Sequence, residues 1–142
     1  MKLKIYKGYY SKSKRKEIES DYKSLYLFGD NLEDRNTNYV PYKTQAVIRG
    51  LKNSFGIPTK FNRYTRYDSY MSLNELNNTL NKIIPELKKV LLDNNYEYIV
   101  YPSFGIGTGK AIDGNPKLTN DDILAFECLT YVRIKILLLE LN

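Results

Sequence analysis

The stretch YPSFGIGTGKA, residues 101–111, sets three glycines at alternate positions (Gly105, Gly107, Gly109) behind a strand-like run and follows them with Lys110. Such glycines let a backbone approach a ligand closely and turn several N–H groups toward it, which suits a phosphate or pyrophosphate. Ser103 and Thr108 would add hydroxyls and Lys110 a positive charge, while Ile106 would contribute its peptide. The spacing fails as a Walker A loop, because Phe104 stands where that loop needs its first glycine and Ala111 where it needs Ser or Thr. It also fails as a dinucleotide fingerprint, since the third glycine comes one residue early. A plain tight turn is the competing reading.

Two further groups could take part. In SLYLFGDN, Asp30 and Asn31 follow a strand-like run, where they could accept from ribose hydroxyls or cap the next turn. Asp30 is also the best candidate for a general base activating water, ahead of Asp34 and Asp113. In TQAVIRG, Gln45 and Arg49 lie four residues apart and so share a helical face, and arginine suits two-pronged phosphate recognition. Tyr64, Tyr67 and Tyr70 beside Arg63 and Arg66 could stack on a nucleotide or a single nucleic-acid strand, or fill half-buried surface.

The elements that must position these residues follow from periodicity. LKIYKGYY alternates like an edge strand, with Leu3 and Ile5 on one face and lysines opposite. Residues 25–28 form a continuous apolar strand of the kind buried on both faces. Thr44 can cap a short helix over TQAVIRGLKN. SFGIPTKF reads as a strand that Pro58 assigns to a sheet edge or a strand end. From Ser72, apolar residues recur at helical spacing through Leu91, with Ser72 and Glu75 forming a capping box and Pro85 expected to kink or split the helix. A strand over 96–101 empties into the glycine loop, and a last helix spans about 121–139. This order points to one α/β domain over 1–142, a mixed sheet flanked by helices, with residues 1–24 a basic strand and loop. If the second and last strands are neighbours, the loops after them line one cleft.

Composition narrows the chemistry. At 142 residues with 42% hydrophobic and 27% charged content, the chain is long enough for one folded core. The net charge is +6, and Lys7, Lys12, Lys14, Arg15 and Lys16 crowd one short stretch, which fits either an anionic partner or a solvated surface. There is no histidine, which excludes a histidine triad or histidine-bound zinc, and neither a metal nor a cofactor is expected. One cysteine, Cys128, rules out a disulfide framework and fits a reducing compartment. The start of the chain lacks the apolar core of a signal peptide and no window has the length of a membrane span, so a cytoplasmic protein without a membrane partner is expected. The apolar last helix could pack within the domain or across a homodimer.

Taken together, YLFGDN, QAVIRGLKNSFGIPTK and IVYPSFGIGTGKA resemble a family of small, mostly bacteriophage-encoded proteins of unassigned function. That family shares F-G-D-N, an arginine matched here by Arg35, a glycine-rich G-x-G-G-Q-A-x-x-R segment, N-x-x-G-I-P-T-K and a late G-I-G-T-G-x-A loop. The family in turn resembles a compact macro domain, an α/β fold that binds ADP-ribose. The resemblance implies that Asp30 and Asn31 form the first loop of a ligand site, Gln45 opens the helix beside it, and Gly105 to Gly109 cover a diphosphate. It departs from the pattern between Arg35 and Gln45, where Tyr39, Pro41 and Tyr42 replace the glycines and should reshape the pocket.

The leading expectation is a protein that binds an ADP-ribose-type or related nucleotide, in a phage setting by sequestering a host immune signal in the host cytoplasm. A hydrolase of ADP-ribosyl or cyclic nucleotide substrates is the first alternative, with Arg49 and Lys110 stabilising developing charge. A nucleic-acid-binding protein is the second. Gly107→Val is expected to abolish ligand binding while sparing the fold, and Lys110→Ala only to weaken binding.

Overall fold

The computed structural model describes residues 1–107 and 112–142. Four strands form one sheet: β1 (Lys2–Tyr6), β2 (Ser24–Asn31), β3 (Ser54–Lys60) and β4 (Tyr98–Pro102), in spatial order β1-β4-β2-β3. Every pairing is parallel, which corrects the expectation of a mixed sheet. The physical reason is the connections. Each of the first three strands leaves through a crossover over a sheet face that returns the chain to the edge where the strand began, and such crossovers join parallel strands. Among the described residues, the isolated bridge between Lys60 and Tyr70 is antiparallel. As expected, β1 and β3 are the edges, and Pro58 lies in an edge strand, where its missing N–H costs no ladder bond; β2, however, runs on through Asp30 and Asn31, past its expected end, because β3 continues alongside to pair with them.

Alternation along the two central strands builds two apolar layers. Leu25, Leu27, Ile99 and Tyr101 face the helices α2 (Leu73–Asp93) and α3 (Asn120–Leu141), packing on Leu80, Ile83, Leu87, Ile134 and Leu137. Tyr26, Phe28 and Val100 face the other way, onto Ile18 of α1 (Arg15–Ser20) and Ala46, Val47 and Ile48 of a 3-10 turn, Gln45–Ile48. Burial on both faces explains why β2 reads as a continuous apolar run. Ser72 and Thr119 cap α2 and α3 with reciprocal capping boxes. Helix α2 continues past Pro85; Asn81 and Pro85 both lie on its exposed side, where water can reach the Asn81 carbonyl that the proline leaves without a donor. Within the basic stretch one residue is anchored: Arg15 donates from Nη1 to the carbonyls of Val47 at 2.6 Å and Arg49 at 3.1 Å, and Ile18 just beyond it is 1% exposed. Among the described residues no helix is long and apolar enough to cross a membrane.

Candidate functional site

Strands β2 and β4 are neighbours with the same direction, so the loops after them emerge side by side at the carboxyl edge. The chain after β2 turns onto the face covered by the Gln45–Ile48 turn, and the chain after β4 passes to the face covered by α3. Adjacent parallel strands whose loops diverge to opposite faces leave a crevice between them, the usual ligand position in open α/β sheets.

At the β2 end of this crevice, Asp30 is paired with Arg49, which sits at the end of the 3-10 turn. Arg49 donates to the Asp30 carboxylate through Nε at 3.1 Å and through Nη2, and to the Tyr39 carbonyl through Nη1. The side chains are 4% (Arg49) and 1% (Asp30) exposed, so the pair is desolvated. The Asn31 N–H donates to Asp30 Oδ1 as well, at 2.8 Å. Gly56 on β3 makes room for the carboxylate, because a Cβ there would lie 2.5 Å from Asp30 Oδ2. Acting as a base, Asp30 would first have to part from Arg49.

The neighbouring polar residues form a second knot. Asn31 Oδ1 accepts from the Asp34 N–H at 2.8 Å, and Asn31 Nδ2 donates to Asp34 Oδ2 at 3.0 Å. Arg63 grips the same carboxylate with Nη2 at 2.6 Å and Nε at 3.1 Å, while its guanidinium covers the Tyr39 ring at 3.6 Å. Burial alone would push the Asp34 carboxyl up, but the hydrogen bonds from Arg63 and Asn31 and the charge of Arg63 outweigh it and hold Asp34 below its ordinary 3.8. Since the folded value is the lower one, this knot stabilises above pH 3.8 and fades as pH falls through the folded value. Arg63→Ala is therefore expected to raise the Asp34 midpoint, measured by carboxyl-carbon NMR titration, and to lower stability above pH 3.8 while less of what remains is lost on acidification. Arg35 points away from the crevice, donating to the Gly56 carbonyl at 3.1 Å and pairing with Glu86 on α2 at 2.9 Å.

Gln45 joins the two loops. Its Oε1 accepts from the Gly29 N–H at 2.6 Å and its Nε2 donates to the Gly105 carbonyl at 2.7 Å. Gly105 and Gly107 have positive φ, 85° and 75°, conformations that favour glycine. A Cβ on Gly29 would lie 2.7 Å from the Gly107 nitrogen, and one on Gly107 would lie 2.7–2.9 Å from three side-chain atoms of Thr59. The glycines thus serve loop-against-sheet packing at least as much as an open face, and the expectation that Gly107→Val spares the fold is corrected. Ile106 is 1% exposed in the core under α2 and α3, so only its backbone can face a ligand. Thr108, Gly109 and Lys110 lie outside the described residues. Gln45→Glu is expected to lower unfolding free energy by about 1–3 kcal/mol in urea titration, because an acceptor would then face the Gly105 carbonyl with no proton between them.

Beside this loop, toward β1, lies a cleft of about 350 Å³ walled by Ile5, Tyr101, Ser103, Phe104 and Gly105 and, from α3, by Leu124, Glu127, Cys128 and Tyr131. Phe104 stacks on Tyr9 with ring centres 4.5 Å apart and planes 10° from parallel, although both rings are exposed. Burial, reinforced by the Asp113 charge, pushes the Glu127 carboxyl up. Sequence reading missed Phe104, Tyr9 and Glu127. The signal for Phe104 was an aromatic residue inside a glycine loop, but its partners come from β1's loop and α3, distant in sequence.

No curated protein and no solved structure matches the chain. Residues 8–115 match a family model that spans both candidate loops, and the chain belongs to that family, a family of unknown function (DUF7831).

Proposed function

We propose that the protein binds an ADP-ribose-type or related nucleotide at the carboxyl edge of its sheet, with the phosphates on the glycine loop and the base toward the cleft beside it. The observation that carries this reading is the crevice between β2 and β4: two left-handed glycines, Gly105 held by Gln45 and Gly107 packed on Thr59, stand there next to a cleft of ligand size with an exposed aromatic ring. The backbone at 103–107 supplies peptide groups, and Phe104 supplies an apolar plane for a base. The net charge of +6 favours an anionic ligand. In a macro-like protein of phage origin such binding would sequester a nucleotide signal. Catalysis ranks lower because the best base, Asp30, is 5% exposed and held by Arg49. Isothermal titration with ADP-ribose, cyclic ADP-ribose isomers and cyclic dinucleotides tests the proposal. A saturable one-site isotherm with one of them is expected, and no heat from any, with protein shown to be folded, contradicts it.

A second reading, binding of single-stranded nucleic acid, is favoured by one feature. Around residues 60–70, Arg63 covers Tyr39, Arg66 covers Tyr64 at 4.8 Å, Lys60 covers Tyr70 at 4.7 Å, and Lys117 covers Tyr67 at 4.8 Å. Tyr64 and Tyr67 keep exposed surface for base stacking. Strand binding that weakens steeply with salt and ignores Gln45→Glu would support this reading over the first.

A further inference from the structure

Helix α3 is apolar on the side away from the core as well as toward it. Phe126, Thr130, Ile134, Leu137 and Leu138 are buried, yet Leu124 is 63% exposed, Val132 49%, Ile136 47% and Leu139 75%. A helix hydrophobic all round is ordinarily covered. Its other charges lie elsewhere: Asp122 closes the cap, Glu127 lines the cleft beside Phe104, Arg133 donates to Asn81 on α2, and Glu140 faces Lys88. The exposed face then carries two charges, Asp121 and Lys135, and neither makes an ion pair within the described residues. Each lies seven residues from Cys128, close to two helical turns, so the three fall on one line with the cysteine midway.

We infer that this face pairs with α3 of a second copy of the chain, antiparallel, on a two-fold axis near Cys128. That arrangement sets each Asp121 against Lys135 of the other copy and covers Leu124 and Val132, whereas a parallel pair would set like charges together. The two ion pairs fix register and direction, and apolar burial supplies the affinity. Leu124, Cys128 and Tyr131 also wall the cleft, so the second copy borders its rim.

Light scattering on the size-exclusion peak of the full chain tests the inference without any ligand. The expected mass is twice the 16.6 kDa of one chain. Val132→Glu should return it to one chain with an unchanged circular dichroism spectrum. Lys135→Glu should weaken the dimer about tenfold through two repulsive contacts, and adding Asp121→Lys should restore it. A single-chain mass for the parent at the highest concentration reached would overturn the inference. So would a dimer indifferent to Val132→Glu, or a charge exchange that fails to restore pairing.

Discussion

Asp30→Ala is expected to lower the unfolding free energy by about 3–5 kcal/mol, because it strands the Arg49 guanidinium in a site with almost no water. Arg49 would keep only its bond to the Tyr39 carbonyl, and the Asn31 N–H would lose its acceptor. The loss belongs to the unpaired charge rather than to the net worth of the pair. Replacing both partners with apolar residues of similar volume, Asp30→Leu with Arg49→Met, should therefore cost much less than the two single changes added together. Urea unfolding of the four chains gives this cycle directly. Additive losses would mean that the two side chains do not act as a pair.

Gly107→Val should be the most damaging change in the glycine loop. A β-branched residue held at φ 75° costs about 1–3 kcal/mol from its backbone alone. Its Cβ would also press on Thr59, which is 1% exposed and has nowhere to retreat. Thermal unfolding should show a clear drop in midpoint together with lost nucleotide binding. Gly107→Ala should be milder, and Thr59→Ala should recover part of its loss by removing the atoms at 2.7 Å and 2.8 Å. A valine variant as stable as the parent would show that the loop does not rest on β3.

Much of the frame was legible because local signals agreed. The apolar run 25–28, the strand before Gly105 and the two capping boxes each name their element without help from distant residues. The parallel sheet was not, because direction depends on how each connection crosses the sheet, and the Gln45–Ile48 turn and α1 are too short to announce a crossover. For the candidate site, sequence brought Asp30, Gln45, Arg49 and the 103–107 loop to one edge. It could not divide them into groups that meet a ligand and groups that hold each other. Asp30 with Arg49, and Gln45 with Gly29 and Gly105, are partnerships across 16 to 60 residues, invisible to spacing. The same limit applies to Ile106, whose glycine neighbours hide a core side chain.

The claim that a nucleotide sits on the carboxyl edge between the β2 and β4 loops is tested most directly by titrating ADP-ribose into the ¹⁵N-labelled chain and following the backbone amides. Saturable shifts concentrated at Gly29, Asn31, Ser103, Phe104, Gly105 and Gly107, absent from the same titration of Gln45→Glu, are the expected result. Saturable shifts that map instead to the 60–70 loop, or no shifts with ADP-ribose, its cyclic isomers and cyclic dinucleotides alike, would contradict it.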